Sequence, residues 1–345
     1  MRLIEKIWFE QHQAKWVLVP LLLPLTALFL LISLFRRLAF RLGWLESLSV
    51  SKPVIVVGNI GVGGNGKTPM VIFLIEQCTK QGLTPGVISR GYGGSAPHYP
   101  YLLNENSTSK EAGDEPILIF QRCNVPVAVG SDRVASAQLL IDNGCDIIIT
   151  DDGLQHYRLK RNIELIIVDG KRKFGNGLLL PAGPLREGLW RLKTADFVIV
   201  NGKQALSTSS ATKANHVLQM NLVPECVCNM LTGQEIAIAD FLEMNPSINA
   251  VAGIGDPMRF FNTLEKQHFS LAKVEGFVDH HAFTLDDFKS FSAEIPLLMT
   301  EKDAVKCKGF AQSHWWYLPV SADISLQETE QLMNKITRLA NEAAQ

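Results

Sequence analysis

Residues 54–80 read VIVVGNIGVGGNGKTPMVIFLIEQCTK, and the order of elements in this stretch decides the fold. Val54–Asn59 is a short β-branched run of strand character. Gly61-Val62-Gly63-Gly64-Asn65-Gly66-Lys67-Thr68 follows with the spacing of a phosphate-binding loop, and Pro69–Lys80 carries a helical pattern. The glycines let backbone N–H groups curl around an anion, and the helix N-terminus adds the positive end of its dipole. In that setting Lys67 reaches the β- and γ-phosphates of a nucleoside triphosphate, while the Thr68 hydroxyl ligates Mg²⁺. Pro69 falls in the first helical turn, where its missing N–H costs least.

Outward from this unit the same alternation continues. Thr84–Ser89, Val125–Gly130, Asp146–Thr150, Leu165–Asp169 and Phe197–Asn201 are short apolar runs separated by helical stretches. Near-continuous apolar runs of this length belong to a mostly parallel sheet covered on both faces, so the chain reads as a doubly wound, P-loop NTPase-like α/β protein. After the polar stretch Gln204–Asn215 a second set appears: Asn249–Gly253, Pro296–Thr300 and Trp315–Pro319, with a helical pattern at Met258–His268. These predict a second, smaller α/β lobe. The expected division is an N-terminal membrane-associated helix at 1–45, a P-loop core at 46–215 and the smaller lobe at 216–345.

The membrane assignment rests on Val17–Phe35, VLVPLLLPLTALFLLISLF, which carries no charge. As a helix rising about 1.5 Å per residue it is close to the thickness of a bilayer core. Spanning the bilayer and lying in its interface both fit. A cleaved signal fits poorly, because the run is long and Arg36, Arg37 and Arg41 follow it instead of a small-residue cleavage site. Those arginines, by the positive-inside tendency, put the downstream body on the cytoplasmic side. A buried helix of a soluble protein is the competing reading, with Pro20 and Pro24 awkward in either setting. The rest of the composition is globular: 345 residues, 47% hydrophobic, 19% charged, formal net charge −1. There is no basic field of the kind nucleic acid requires. The six cysteines show no C-x-x-C spacing, which suits a reducing compartment, and the C-x-C of Cys226 and Cys228 reads as packing.

Further motifs sit at strand ends and loops. Asp151-Asp152-Gly153-Leu154-Gln155-His156 follows an apolar strand, where a carboxylate near a phosphate loop holds Mg²⁺ and its neighbour positions water or substrate; an Asx turn is the plainer alternative. Gly113-Asp114-Glu115-Pro116 precedes the apolar helix Ile117–Arg122, and on spacing alone Asp114 is a helix cap. Asp279-His280-His281 offers one working histidine, since adjacent residues do not share a face. Arg186-Glu187 and Thr300-Glu301-Lys302-Asp303 read by default as exposed ion pairs. Ser89-Arg90-Gly91-Tyr92-Gly93-Gly94 is a basic glycine loop able to hold a phosphate or headgroup.

The order GNIGVGGNGKTP, SRGYGG, AGDEP, TDDGLQH, PAGPLRE, DHH and TEKDAVK, behind an apolar helix, closely resembles the tetraacyldisaccharide 4'-kinase family over nearly the whole chain. The resemblance implies an ATP- and Mg²⁺-dependent kinase that phosphorylates the 4'-hydroxyl of the lipid A disaccharide precursor at the inner leaflet, with no protein partner implied. It implies Asp114 as the base, in place of the cap, oriented by a histidine of the DHH motif. His280 is the position expected to match. It further implies Asp151 and Asp152 as metal-side carboxylates and Arg186 and Glu187 at the catalytic face. An acceptor with several acyl chains explains the apolar helix, because a soluble pocket would have to accommodate them at about 0.8 kcal/mol per methylene. The competing class is a membrane-recruited P-loop ATPase switch, whose loops of similar spacing carry a second lysine where this chain has Val62.

Overall fold

A computed structural model describes residues 3–10, 12–203 and 216–343. The polar stretch 204–215, read above as the approach to a lobe boundary, lies outside the described residues.

The strand that precedes the glycine loop is β1 (Val54–Gly58), and every residue in it is buried. Val54 and Val56 point into one core and Ile55 and Val57 into the other, so period-two alternation places apolar side chains on both faces. Around β1 lie β2 (Pro85–Ser89), β3 (Tyr101–Leu102), β4 (Val127–Val129), β5 (Ile147–Thr150), β6 (Ile163–Asp169), β7 (Phe197–Asn201), β8 (Val217–Val223) and β15 (Ser321–Ile324), in the sheet order β15-β8-β7-β6-β1-β5-β2-β4-β3. The interior pairs are parallel, and only the edge pairs β3–β4 and β8–β15 are antiparallel. Consecutive strands β1 and β2 are separated in space by β5. The chain therefore winds to either side of the β1–β5 pair, and the carboxyl ends of the strands open into a crevice there.

A second sheet, β10-β9-β14-β13-β11-β12, contains β9 (Cys226–Asn229), β10 (Glu235–Ala237), β11 (Ile248–Ala252), β12 (Leu271–Gly276), β13 (Leu297–Thr300) and β14 (Trp315–Leu318), with its own cores on its two faces. The expected division after residue 215 is not where the sheets part. Strands β8 and β15 both belong to the large sheet, and α10 (Leu326–Glu342) buries Leu332, Met333 and Ile336 in the large sheet's core. Their sequence neighbours suggested otherwise, but apolar faces pair by burial and not by order in the chain. The second lobe is thus an insertion, entered at residues 224–225 and left at 319–320, between two adjacent antiparallel strands.

Helix α2 (Lys15–Arg41) outruns the uncharged segment by two turns and contains both prolines. Most of it is exposed, including Val17, Leu21, Leu31, Ile32 and Phe35. Its contacts with the body are few and specific. Thr26 Oγ1 donates to Leu179 O (3.4 Å) and accepts from Ala182 N (3.0 Å), Arg37 lies over the Trp190 ring (3.8 Å), and Phe40 packs against Tyr157. Ahead of it, α1 (Leu3–Phe9) buries Ile7 and donates from Trp8 Nε1 to Pro181 O (3.1 Å).

Candidate active site

Helix α3 (Lys67–Lys80) starts at the loop lysine, directly after Gly66 in the left-handed region at φ 95°. A Cβ on Gly66 would lie 2.6 Å from Asn201 Nδ2, the group that donates to Asn65 O (3.0 Å) from the end of β7. Glycine is required there by both its backbone angle and this close approach. The loop is held on its other side by the Pro181–Glu187 segment. Val62 N donates to Pro184 O (2.9 Å) and Arg186 N to Ile60 O (2.7 Å). Ala182 of that segment, and Leu179 just ahead of it, bond Thr26, so the backbone of residues 179–187 touches both the apolar helix and the phosphate loop.

Asp151 and Asp152 leave the end of β5 beside β1. Asp152 sits in the left-handed region (φ 50°), and the buried Arg133 donates from Nη2 to its carbonyl (2.8 Å). Its carboxylate receives Arg186 Nη1 on Oδ2 (3.0 Å), and Lys67 Nζ lies 3.8 Å from Oδ1. Burial alone would raise its pKa, but Lys67 and Arg186 outweigh that and hold it below the usual carboxylate range. Asp151 is different. It is 1% exposed and neither carboxylate oxygen has a hydrogen-bond partner among the described residues. Burial, reinforced by the charge of Glu115 and opposed by Lys67, pushes its pKa up to about 7. An unpartnered buried carboxylate is costly and is the kind of group a cation satisfies. Among the described residues no three His, Cys, Asp or Glu side chains cluster as a metal site. Mg²⁺ on a phosphate loop needs no such cage, because substrate phosphates, water and one or two protein oxygens complete its shell.

Arg186 and Glu187 are not the exposed pair expected by default. Glu187 is 7% exposed and accepts from Gln155 Nε2 (2.9 Å), Tyr157 Oη (2.9 Å) and Arg191 Nε (3.1 Å). Gln155 Nε2 also donates to Asn59 O (3.1 Å), tying the Gln155–Glu187 pair to the root of the phosphate loop. Glu187 therefore braces the site from beneath while Arg186 faces Asp152.

Across the crevice two glycine-bearing segments pass in contact. A Cβ on Gly94 would lie 2.4 Å from Glu111 O, and one on Gly113 2.8 Å from Tyr92 O. The close passage accounts for Gly91 and Gly94 of the Ser89–Gly94 loop, while Gly93, with nothing within 4 Å of a Cβ, is set by its φ of 79°. It also fixes the start of α5 (Asp114–Cys123), whose N-cap is Gly113 (φ 90°), so Asp114 does not cap the helix. Asp114 Oδ2 lies 3.1 Å from His280 Nδ1, a residue of the second lobe held in the left-handed region (φ 59°). His281 turns away, stacking on Phe277 and lying 3.2 Å from Asp287.

The TEKDAVK run forms β13's end and α9 (Glu301–Cys307), and the default reading of its first four residues, Thr300–Asp303, as exposed ion pairs does not hold. Asp303 is fully buried, and the Lys306 side chain is 7% exposed with Nζ 2.8 Å from Asp303 Oδ1 and 3.8 Å from Asp114 Oδ2. Lys302 Nζ lies 3.2 Å from Glu115 Oε1 and 3.6 Å from Asp279 Oδ1. The available signal was the four-residue spacing of Lys302 and Lys306, which puts both ammonium groups on one helix face. On the phosphate-loop side the second lobe makes another contact: Arg259 Nη1 donates to Asp169 Oδ2 (2.8 Å) and Gly64 O (3.3 Å), and Arg172 Nη2 donates to Asp256 Oδ2 (2.8 Å).

A phosphate loop at the carboxyl end of β1, a paired and an unpaired carboxylate beside its lysine, and a histidine-paired carboxylate at the start of α5 are the parts of a P-loop phosphotransferase. The tetraacyldisaccharide-1-P 4'-kinase family matches residues 18–339. A tetraacyldisaccharide 4'-kinase of Colwellia psychrerythraea is 63% identical over 335 residues, covering 97% of each chain. One from Vibrio parahaemolyticus is 46% identical over 335 residues, 97% of this chain and 96% of its own. The crystal structure of LpxK from Aquifex aeolicus in complex with ATP superposes with a TM-score of 0.76 at 27% identity, over 94% of this chain and 99% of that one. The chain belongs to the tetraacyldisaccharide 4'-kinase family.

Proposed function

We propose that the protein transfers the γ-phosphate of ATP to the 4'-hydroxyl of the tetraacyldisaccharide 1-phosphate precursor of lipid A, working at the cytoplasmic face of the inner membrane. The observation that carries the reading is Asp114, a carboxylate outside the phosphate loop, off the helix cap and paired with a histidine. Asp114 takes the proton of the 4'-hydroxyl as that oxygen attacks the γ-phosphorus; the bond from phosphorus to the β–γ bridging oxygen breaks and ADP leaves. His280 orients the base. Lys67 and the loop N–H groups hold the β- and γ-phosphates, and Arg186 steadies Asp152 next to Lys67. Thr68 and Asp151, with Asp152 at its side, would hold Mg²⁺, which when bound neutralises phosphate charge. The unpartnered oxygens of Asp151 fit a cation.

The apolar helix lies along the membrane surface in this reading. A helix of 27 residues is long enough to cross a bilayer. However, Thr26 near its middle is bonded to the backbone of residues 179 and 182. Crossing would carry that backbone to mid-membrane depth, where irregular segments facing lipid are not tolerated. The exposed Trp16 and Trp44 near its two ends are suited to the headgroup level.

The test is transfer of labelled γ-phosphate to the lipid A disaccharide 1-phosphate in detergent with Mg²⁺. ATP hydrolysis that ignores the lipid, with no labelled lipid formed, would sink the reading. Labelling of single cysteines placed at residues 3 and 16 from the cytoplasmic side of inverted vesicles checks the orientation; labelling of either only from the opposite side would show a crossing helix.

A further inference from the structure

We propose that Lys306 is a positioning residue for the transfer step, turning the Asp114 carboxylate so that Oδ1 faces the acceptor. This rests on the reading of Asp114 as the base. Lys306 is anchored before it meets Asp114. Its partner Asp303 is fully buried and accepts from Gly253 N (2.8 Å) and Thr300 Oγ1 (2.6 Å), which fix that carboxylate against the ends of β11 and β13. Lys306 Nζ then donates to Asp303 Oδ1 (2.8 Å) and to Gly253 O (3.5 Å), with the Phe283 ring centroid 5.3 Å away. One N–H remains, and Asp114 Oδ2 is 3.8 Å from the nitrogen.

His280 Nδ1 approaches the same oxygen, at 3.1 Å. Two groups from the second lobe thus converge on Oδ2, while Oδ1 takes no hydrogen bond among the described residues. A carboxylate hydrogen-bonded through Oδ2 to His280, with the Lys306 ammonium drawing the same oxygen electrostatically from 3.8 Å, is biased in its rotation about its terminal bond, and Oδ1 is left to accept a proton. A lysine needed only to neutralise Asp303 has no reason to be buried against another lobe's carboxylate, since burying an ammonium is costly unless each N–H finds a use.

The test is a double-mutant cycle on lipid phosphorylation, using Lys306→Gln, Asp114→Ala and the two together. Lys306→Gln is expected to lower kcat by about 10- to 100-fold, the scale of a misplaced reacting group, with KM for ATP unchanged. In the Asp114→Ala background it is expected to cost nothing further, because it acts through Asp114. An equal loss in both backgrounds, or wild-type kcat in folded Lys306→Gln protein, would overturn the proposal while leaving Asp114 as the base. Wild-type turnover in Asp114→Ala would instead overturn that reading and the proposal with it. Should Lys306→Gln leave Asp303 unpaired and the lobe unfolded, Lys306→Gln with Asp303→Asn restores a neutral hydrogen-bonded pair. The same cycle then applies to that double variant.

Discussion

The site's two carboxylate stations are built in different ways. Asp151 and Asp152 stand at the end of a fully buried strand paired in register with β1, so the sheet that carries the phosphate loop also sets their distance from it. Asp114 stands at the start of a helix whose first turn is fixed by glycine contacts, and its carboxylate lies 3.1 Å from His280 and 3.8 Å from Lys306 of an inserted lobe. No second-lobe side chain hydrogen-bonds Asp151 or Asp152 among the described residues, and that lobe reaches the phosphate loop only through Arg259 at Gly64 O (3.3 Å). The second station is complete only when the lobe is docked. Nucleotide binding and phosphoryl transfer are therefore separable by mutation, and each prediction below tests whether that separation is real.

Asp114→Ala should have the largest effect that leaves the nucleotide site untouched. Turnover with lipid should fall by about 10²- to 10⁴-fold, the usual contribution of a general base, while ATP affinity measured by calorimetry stays near wild type. A parallel loss of ATP binding would show that the two stations are one.

Asp151→Asn should break the other station with an opposite signature in stability. Asp151 is buried, unpartnered and pushed up to about 7, so its native-state pKa lies above its unfolded value. The native state then binds the proton more tightly. The group costs no stability below the unfolded value of about 4, and the penalty grows as pH rises from there to about 7. Asparagine removes the charge, so at pH 8 the variant should melt a few degrees higher than wild type while losing most Mg²⁺-dependent activity. A lower melting temperature at pH 8 would mean that Asp151 is paired in solution. For the wild type the same sign predicts that Mg²⁺ affinity falls as pH drops below about 7, since the ligand must be ionised. Activity at limiting Mg²⁺ should decline more steeply on the acid side than activity at saturating Mg²⁺.

How much of this was legible in the sequence follows the same division. The phosphate loop and the carboxylate pair were readable because each is local: a strand, a turn and a helix start fall within a few residues, and apolar runs announce the strands. The strand positions from Val54 to Asn201 match the observed ones to within a few residues for that reason. The far limit of the second lobe was not legible because β15 and α10 return to the large sheet after the insertion, and no local pattern states which sheet an apolar strand will join. Asp114 looked like a cap because its partner lies 166 residues away. Lys306 drew no reading of its own because nothing in TEKDAVK records that Phe283 and Asp114 lie against it. On residue type alone Glu187 reads as an exposed charge, because Gln155 and Tyr157, which consume its oxygens, come from another loop.

The smallest predicted effect separates docking from chemistry. Lys302 links the second lobe to Glu115 (3.2 Å) and lies 3.6 Å from Asp279, the residue before His280. Burial would lower its pKa, but the charges of Glu115 and Asp279 outweigh that and raise it, so the ammonium stays charged wherever the enzyme works. It touches neither Asp114 nor the phosphate loop at hydrogen-bond distance. Lys302→Ala should therefore weaken only the docking of the lobe, by about 1 kcal/mol for a partly buried ion pair. If the docked state is well populated in the wild type, that loss lowers the docked fraction only slightly and turnover by less than about 5-fold, with ATP affinity unchanged. Mild urea should then abolish lipid phosphorylation in Lys302→Ala at a lower concentration than in the wild type, while ATP binding is lost at the same concentration in both. Coincident loss of the two in each protein would show the lobe and the sheet to be one cooperative unit, and the distinction between the two carboxylate stations would be one of geometry alone.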